Sequence, residues 1–154
     1  AQPHNLAEYP VTRAVHPDAC LYVVLPSDDA EKAIAQNTAC GFRTAVSLET
    51  KSQDALLKRL ARYMQAAPEL TATPPMRCKT QPSTPDIMAF LYAGTNTAVA
   101  AANLSDEPKT FLLSPPTTAV FLEDPLTKLR IERDASGAFA VTLMPKRACV
   151  WIAR

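Results

Sequence analysis

The sequence predicts an α+β fold: a short parallel βαβα segment followed by a small antiparallel β-sandwich. Three observations carry that expectation. From Asp86 to Arg154 the chain holds short runs of alternating side chains, separated by turn residues at roughly ten-residue spacing, as a sandwich or barrel requires. The first half holds a continuous apolar run followed by two helical patterns, as in parallel α/β units. Between them, Pro68, Pro74, Pro75, Pro82 and Pro85 stand among Thr and Ser and mark a boundary.

Taken in order, residues 1–19 are polar and aperiodic and are expected to form an arm or linker. Residues 20–67 are the α/β segment. Cys20 to Leu25 is an apolar run of strand length closed by Pro26. Asp28 and Glu31 have capping-box spacing, so a helix should start there and end at Cys40, with Gly41 as a left-handed terminator. Phe42 to Leu48 reads as a second strand. Ser52 then caps a helix from Gln53 to about Ala67, whose apolar face is Leu56, Leu57, Leu60, Ala61 and Met64. Two parallel strands leave two open edges, so this half either borrows strands or belongs to a larger α/β body.

Residues 68–85 form the Pro-rich boundary, within which 76–80 alternates as a first sandwich strand. Residues 86–154 supply the rest: strands at 87–92 and 97–103 around the turn Ala93 to Asn96, then 110–113, 118–122, 128–133, 139–143 and 148–152. With 3 glycines against 14 prolines, the turns must be built mainly from Pro, Asp, Asn and Ser.

Composition narrows the functions. A chain of 154 residues that is 47% hydrophobic and 20% charged is long enough for a core and is not disordered. A net charge of +1 argues against nucleic acid or an anionic membrane as partner. No apolar run reaches the ~18 residues of a membrane span. Phosphate-cradling glycine motifs are absent. The chain starts at Ala1 with neither Met nor a hydrophobic signal, which reads as a processed or excised chain, and localisation stays open between bacterial cytoplasm and secretion. Cys20, Cys40, Cys78 and Cys149 are far apart without a C-x-x-C pair; their even count permits two disulfides, but each lies in or beside an apolar segment, so buried free thiols are the expectation. No metal site and no cofactor are expected.

Candidate chemistry is sparse. His4 and His16 both lie in the arm, where a triad or metal site is hard to build. Glu49 ends a parallel strand, the position at which α/β sheets place ligands, and is the one catalytic candidate. Asp28 and Asp29 are explained by helix capping, and Glu123 with Asp124 by a turn before Pro125. Trp151 and Tyr92 are the candidates for stacking on a sugar ring, against the plainer reading that they pack in the core. Lys58, Arg59 and Arg62 form a solvated basic helix face. Asn103-Leu104-Ser105 matches the N-glycosylation pattern, which matters in a eukaryotic secretory setting.

Several segments resemble the C-terminal part of glycoside hydrolases, notably bacterial β-galactosidases. Met88-Ala89-Phe90-Leu91-Tyr92 through Val99 to Asp106 looks like a strand pair ending in an Asn-Leu-Ser-Asp turn. Leu122-Glu123-Asp124-Pro125-Leu126-Thr127 resembles a D-P-L-T-G connection, with Lys128 where Gly is usual. Val141 to Pro145 with Val150-Trp151-Ile152 looks like the closing strands. The half containing Leu21 to Leu25 is similar to the Rossmann-like domain that follows the barrel in family 42 β-galactosidases and mediates subunit contacts there. It is shorter than that domain and lacks its Gly-Gly turn. The resemblance implies a non-catalytic accessory region of a glycosidase, with a catalytic domain or sister subunit as partner. It transfers no catalytic acid, because those acids lie on a barrel. The alternatives are a free-standing carbohydrate-binding module, with carbohydrate as its partner, and a small enzyme using Glu49.

Overall fold

The computed structural model describes residues 22–24, 29–45 and 54–154. Its elements, in chain order, are strand β1 (Tyr22–Val24), helix α1 (Ala30–Cys40), strand β2 (Arg43–Ala45), and helices α2 (Asp54–Ala66) and α3 (Glu69–Ala72). Nine strands follow: β3 (Pro75–Arg77), β4 (Lys79–Gln81), β5 (Ile87–Tyr92), β6 (Ala98–Asn103), β7 (Lys109–Ser114), β8 (Phe121–Glu123), β9 (Arg130–Glu132), β10 (Phe139–Leu143) and β11 (Arg147–Ala153).

The last nine strands form two antiparallel sheets. One has six strands in the order β3-β5-β6-β11-β8-β9, the other three in the order β10-β7-β4. The expected single strand at 76–80 is two strands in different sheets. Cys78, buried between them, is where the chain crosses over. This crossing places strands and the short helix α3 inside the Pro-rich boundary.

The six-stranded sheet is covered on both faces. Alternation sends Ala89, Leu91, Val99, Ala101 and Trp151 toward the small sheet, where they meet Phe111, Leu113, Phe139 and Val141. The other residues of the same strands, including Phe90, Tyr92, Ala98, Ala100, Val150 and Ile152, face the helices and meet Ala35, Ala39, Phe42, Tyr63 and Leu70. Double coverage explains why every residue of β6 is buried, although Ala-Val-Ala-Ala-Ala-Asn shows no polar alternation. Its helix-side residues are all alanines, so α1, with its own Ala35 and Ala39, lies close against the sheet.

Strands β1 and β2 pair in parallel over three residues, and α1 connects them. That helix ends as expected. Gly41 has φ 65, its N–H donates to Thr38 O, and the Phe42 N–H reaches Asn37 O, which is the paired bonding of a Schellman turn. The start differs. The residue before α1 is Asp29, at φ 52 with no side-chain cap bond, and its carboxylate pairs instead with Lys146 Nζ at 2.9 Å. In α2 the buried residues are Leu60 and Tyr63, while Ala61 faces solvent. The helix is therefore rotated toward Tyr63 relative to the expected apolar face. Lys128, standing where the resembling connection has Gly, takes the left-handed φ of 64 that glycine accepts without strain.

Candidate functional site

Buried polar groups gather where α2 meets the sheet. Leu60 and Tyr63 lie on one side of α2, which aims the Tyr63 phenol past the helix at the turn between β8 and β9. Arg59, one turn earlier, donates from Nη2 to Tyr63 Oη at 2.8 Å, and its guanidinium lies 5.3 Å from the Tyr63 ring centre. Tyr63 Oη donates in turn to Asp124 Oδ2 at 3.0 Å. Cys149 of β11 completes the group, with Sγ 3.4 Å from the same carboxylate oxygen and 3.3 Å from Tyr63 Oη. Asp124 Oδ1 accepts the N–H groups of Leu126 and Thr127, at 2.8 and 3.2 Å. One carboxylate thus closes its own turn with one oxygen and holds the helix with the other.

The electrostatics follow from this geometry. Burial alone would raise the Asp124 carboxyl, but the Leu126, Thr127 and Tyr63 donors outweigh it and hold the group below the usual carboxylate value. Burial pushes the Tyr63 phenol up, and it pushes the Cys149 thiol up to about 11. Cys149 is therefore a neutral thiol at physiological pH, poorly suited to nucleophilic work. Burial likewise raises Cys78 to about 12. The quartet is an anionic acceptor surrounded by donors, which suits holding two elements together.

Further contacts bind the helices to the sheets. Tyr92 Oη donates to Ala39 O at 2.6 Å, across the helix–sheet interface. At the turn between β10 and β11, Lys146 joins Asp29 and Asp106, and Arg147 Nη1 lies 3.3 Å from Glu31 Oε2. Below the β5–β6 turn, Glu69 Oε1 accepts the Asn96 N–H at 3.1 Å, and its buried Oε2 has no partner among the described residues. A Cβ on Gly94 would stand 2.5 Å from Glu69 Cγ, so this turn needs glycine for space.

The residues singled out from sequence are placed as follows. Trp151 is 4% exposed, in the core between the sheets, and Tyr92 is fully buried on the helix side. Neither ring offers a face for a sugar. Glu49, His4, His16, Cys20, Asp28 and Ser52 lie outside the described residues. Among the described residues Cys78 and Cys149 are free thiols, Cys40 is buried, and no group of three or more His, Cys, Asp and Glu could hold a metal. Asn103 is fully buried: Nδ2 donates to the carbonyls of Glu107, Leu143 and Met144, and Oδ1 accepts Ser105 N–H and Oγ–H. The glycosylation pattern is thus a turn lock in the folded chain. Sequence reading took Arg59 as solvated and Asp124 as a simple turn residue. Tyr63, four residues after Arg59 and three after Leu60, was the signal that this side of α2 turns inward.

No family model matches the chain, and no curated protein matches it either. Solved structures do. A noncanonic maltogenic α-amylase from Thermotoga neapolitana aligns over 95% of this chain and 44% of its own, at 10% identity and TM-score 0.62. An Anoxybacillus α-amylase aligns over 80% and 31%, at 12% identity and TM-score 0.58. A putative α-galactosidase from Bacteroides fragilis aligns over 86% and 32%, at 16% identity and TM-score 0.57. At these identities the likeness is one of fold. The chain spans about a third of the length of the first structures that it matches.

Proposed function

We propose that this chain is a non-catalytic accessory region of a glycoside hydrolase, which supports a catalytic barrel or a contact between subunits. One observation carries the reading: the alignments take in 84–95% of this chain, more than the sandwich alone, and 32–44% of α-amylase and α-galactosidase chains. The buried chemistry agrees, since the Arg59, Tyr63, Asp124 and Cys149 group joins elements and leaves no activated nucleophile. In this reading residues 20–67 form the junction with the catalytic body, and residues 86–154 form the rigid block behind it. The narrower proposal of a family 42 β-galactosidase rests on the Asn103 to Asp106 turn and on the Asp124 to Thr127 connection.

The test uses residues 1–154 alone beside the polypeptide of the complete reading frame, both assayed on a panel of nitrophenyl α- and β-glycosides. Hydrolysis is expected from the latter and none from the former. Turnover by residues 1–154 would overturn the non-catalytic role. A complete polypeptide inert on every glycoside would overturn the glycosidase assignment. A β-galactoside preference would support the narrower proposal.

A further inference from the structure

We propose that the cleft between α1, α2 and the β10–β11 hairpin is a binding site for a small organic carboxylate with an apolar body. The cleft encloses about 360 Å³. That is room for roughly a dozen water molecules, and it lies at the small end of ligand pockets. Ile34 of α1, Leu56 and Leu60 of α2, and Leu143 and Met144 of the hairpin make apolar walls, with Ala148 among the lining residues. Met144 is 60% exposed, so apolar surface continues to the mouth.

Two arginines are among the residues that line this apolar space, Arg59 and Arg147. Each carries five N–H donors in a planar fork. Arg59 spends Nη2 on Tyr63 and lies 3.8 Å from Asp124. Arg147 spends Nη1 on Glu31 and on the Lys146 carbonyl. Among the described residues, no partner takes the Nε or Nη1 donors of Arg59, or the Nε or Nη2 donors of Arg147. Both side chains are about half exposed, at 48% and 40%, so these donors can be reached from solvent. Lys146, the third cation of the lining, is committed to Asp29 and Asp106.

The ligand class follows from this combination. A carboxylate accepts two parallel N–H bonds from one guanidinium, and its hydrocarbon covers the leucine walls. A sugar fits poorly, because the cleft has a single aromatic lining residue, Tyr63, which is 1% exposed. A phosphate would meet mostly apolar lining, with Glu31 also in the lining and its carboxylate beside Arg147. That carboxylate competes with the ligand for Arg147.

The probe is 4-phenylbutyrate, with 4-phenylbutanol as the uncharged control, titrated into the whole chain and followed by the methyl resonances of Ile34, Leu60 and Ala148. Saturable shifts confined to the cleft are expected, with a Kd near 1 mM for a ligand of this size. The alcohol should bind at least about tenfold more weakly, since a charged pair of this kind contributes on that scale. Arg147→Gln, at a half-exposed position and with its melt checked against wild type because the Glu31 contact is lost, should weaken binding severalfold, and Glu31→Gln should strengthen it by releasing Arg147. Ala148→Leu should abolish binding by filling the cleft. Equal binding of acid and alcohol, indifference to both Arg147→Gln and Arg59→Gln, or no shift up to about 20 mM would each overturn the proposal. These outcomes are independent of the glycosidase assignment.

Discussion

The two faces of the six-stranded sheet are covered in different ways. Toward the small sheet the contact is hydrocarbon: Leu91, Val99, Leu113, Phe139, Val141 and Trp151 interdigitate. Toward the helices Phe90, Tyr92, Val150 and Ile152 also pack on Phe42, Tyr63 and Leu70, with small alanines from β6 between them, and directed bonds are added: Tyr92 to Ala39, Tyr63 to Asp124, Lys146 to Asp29 and Arg147 to Glu31. Apolar burial is non-directional and scales with area. Hydrogen bonds contribute less each, but they fix an orientation. Apolar burial therefore holds both faces, and on the helix side the directed bonds also fix the register of α1 and α2.

The largest break should come from the dry face. Trp151→Ala should destabilise the whole chain by about 3–5 kcal/mol, read as a lower midpoint in a denaturant melt. A loss below about 1 kcal/mol would mean that the intersheet core is not close-packed around this ring. On the helix face, Tyr63→Phe should cost only about 1–2 kcal/mol, because one hydroxyl is lost while the ring stays packed. Its signature should be local, with faster amide exchange in α2 and unchanged exchange in β7 and β10. Uniformly faster exchange would show that the two faces do not differ in this way.

The pH dependence sharpens the same contrast. Asp124 has a depressed folded-state pKa, so its contribution is present above the unfolded-state value, about 4, and is lost as pH falls through and below it. Wild type should accordingly keep its advantage over Asp124→Asn at neutral pH and lose it progressively as pH falls below about 4, measured by paired melts. A gap between the two that stayed constant would argue against this carboxylate. The smallest effect concerns the connection itself. Lys128→Gly should stabilise by about 0.5 kcal/mol, since relief of the left-handed backbone outweighs the added chain entropy, whereas Lys128→Ala should give no gain.

Much of the sandwich was legible because β5, β7 and β10 carry period-two burial or strong flanking turns, and 139–143 falls on the observed β10. The stop of α1 was legible because Gly41 has a single local reason to be there. What escaped was set by tertiary packing. The strand at 97–103 was expected and is observed as β6, but its burial on both faces was not legible, since it reflects a helix on one side and a sheet on the other. The split of 76–80 between two sheets depends on a crossing at Cys78 that no local pattern marks. The Arg59, Tyr63, Asp124 and Cys149 group spans 90 positions of sequence, with Asp124 lying 61 residues from the tyrosine it binds. Each member alone looked ordinary, and only the rotation of α2 brings them together.

The saturated amide of Asn103 also has a practical consequence. A glycan and a folded chain compete for the same nitrogen, because Nδ2 is turned into the protein and bonded to three carbonyls. In a eukaryotic secretory host the outcome is therefore a race between modification and folding. Molecules that fold first should leave the cell at unmodified mass. Those modified first should be retained or degraded, so intact-mass analysis of secreted protein should find the bare chain, and a secreted, cooperatively melting glycoform would refute this. Asn103→Gln is no remedy for low yield in such a host, because it removes the acceptor and the turn lock together.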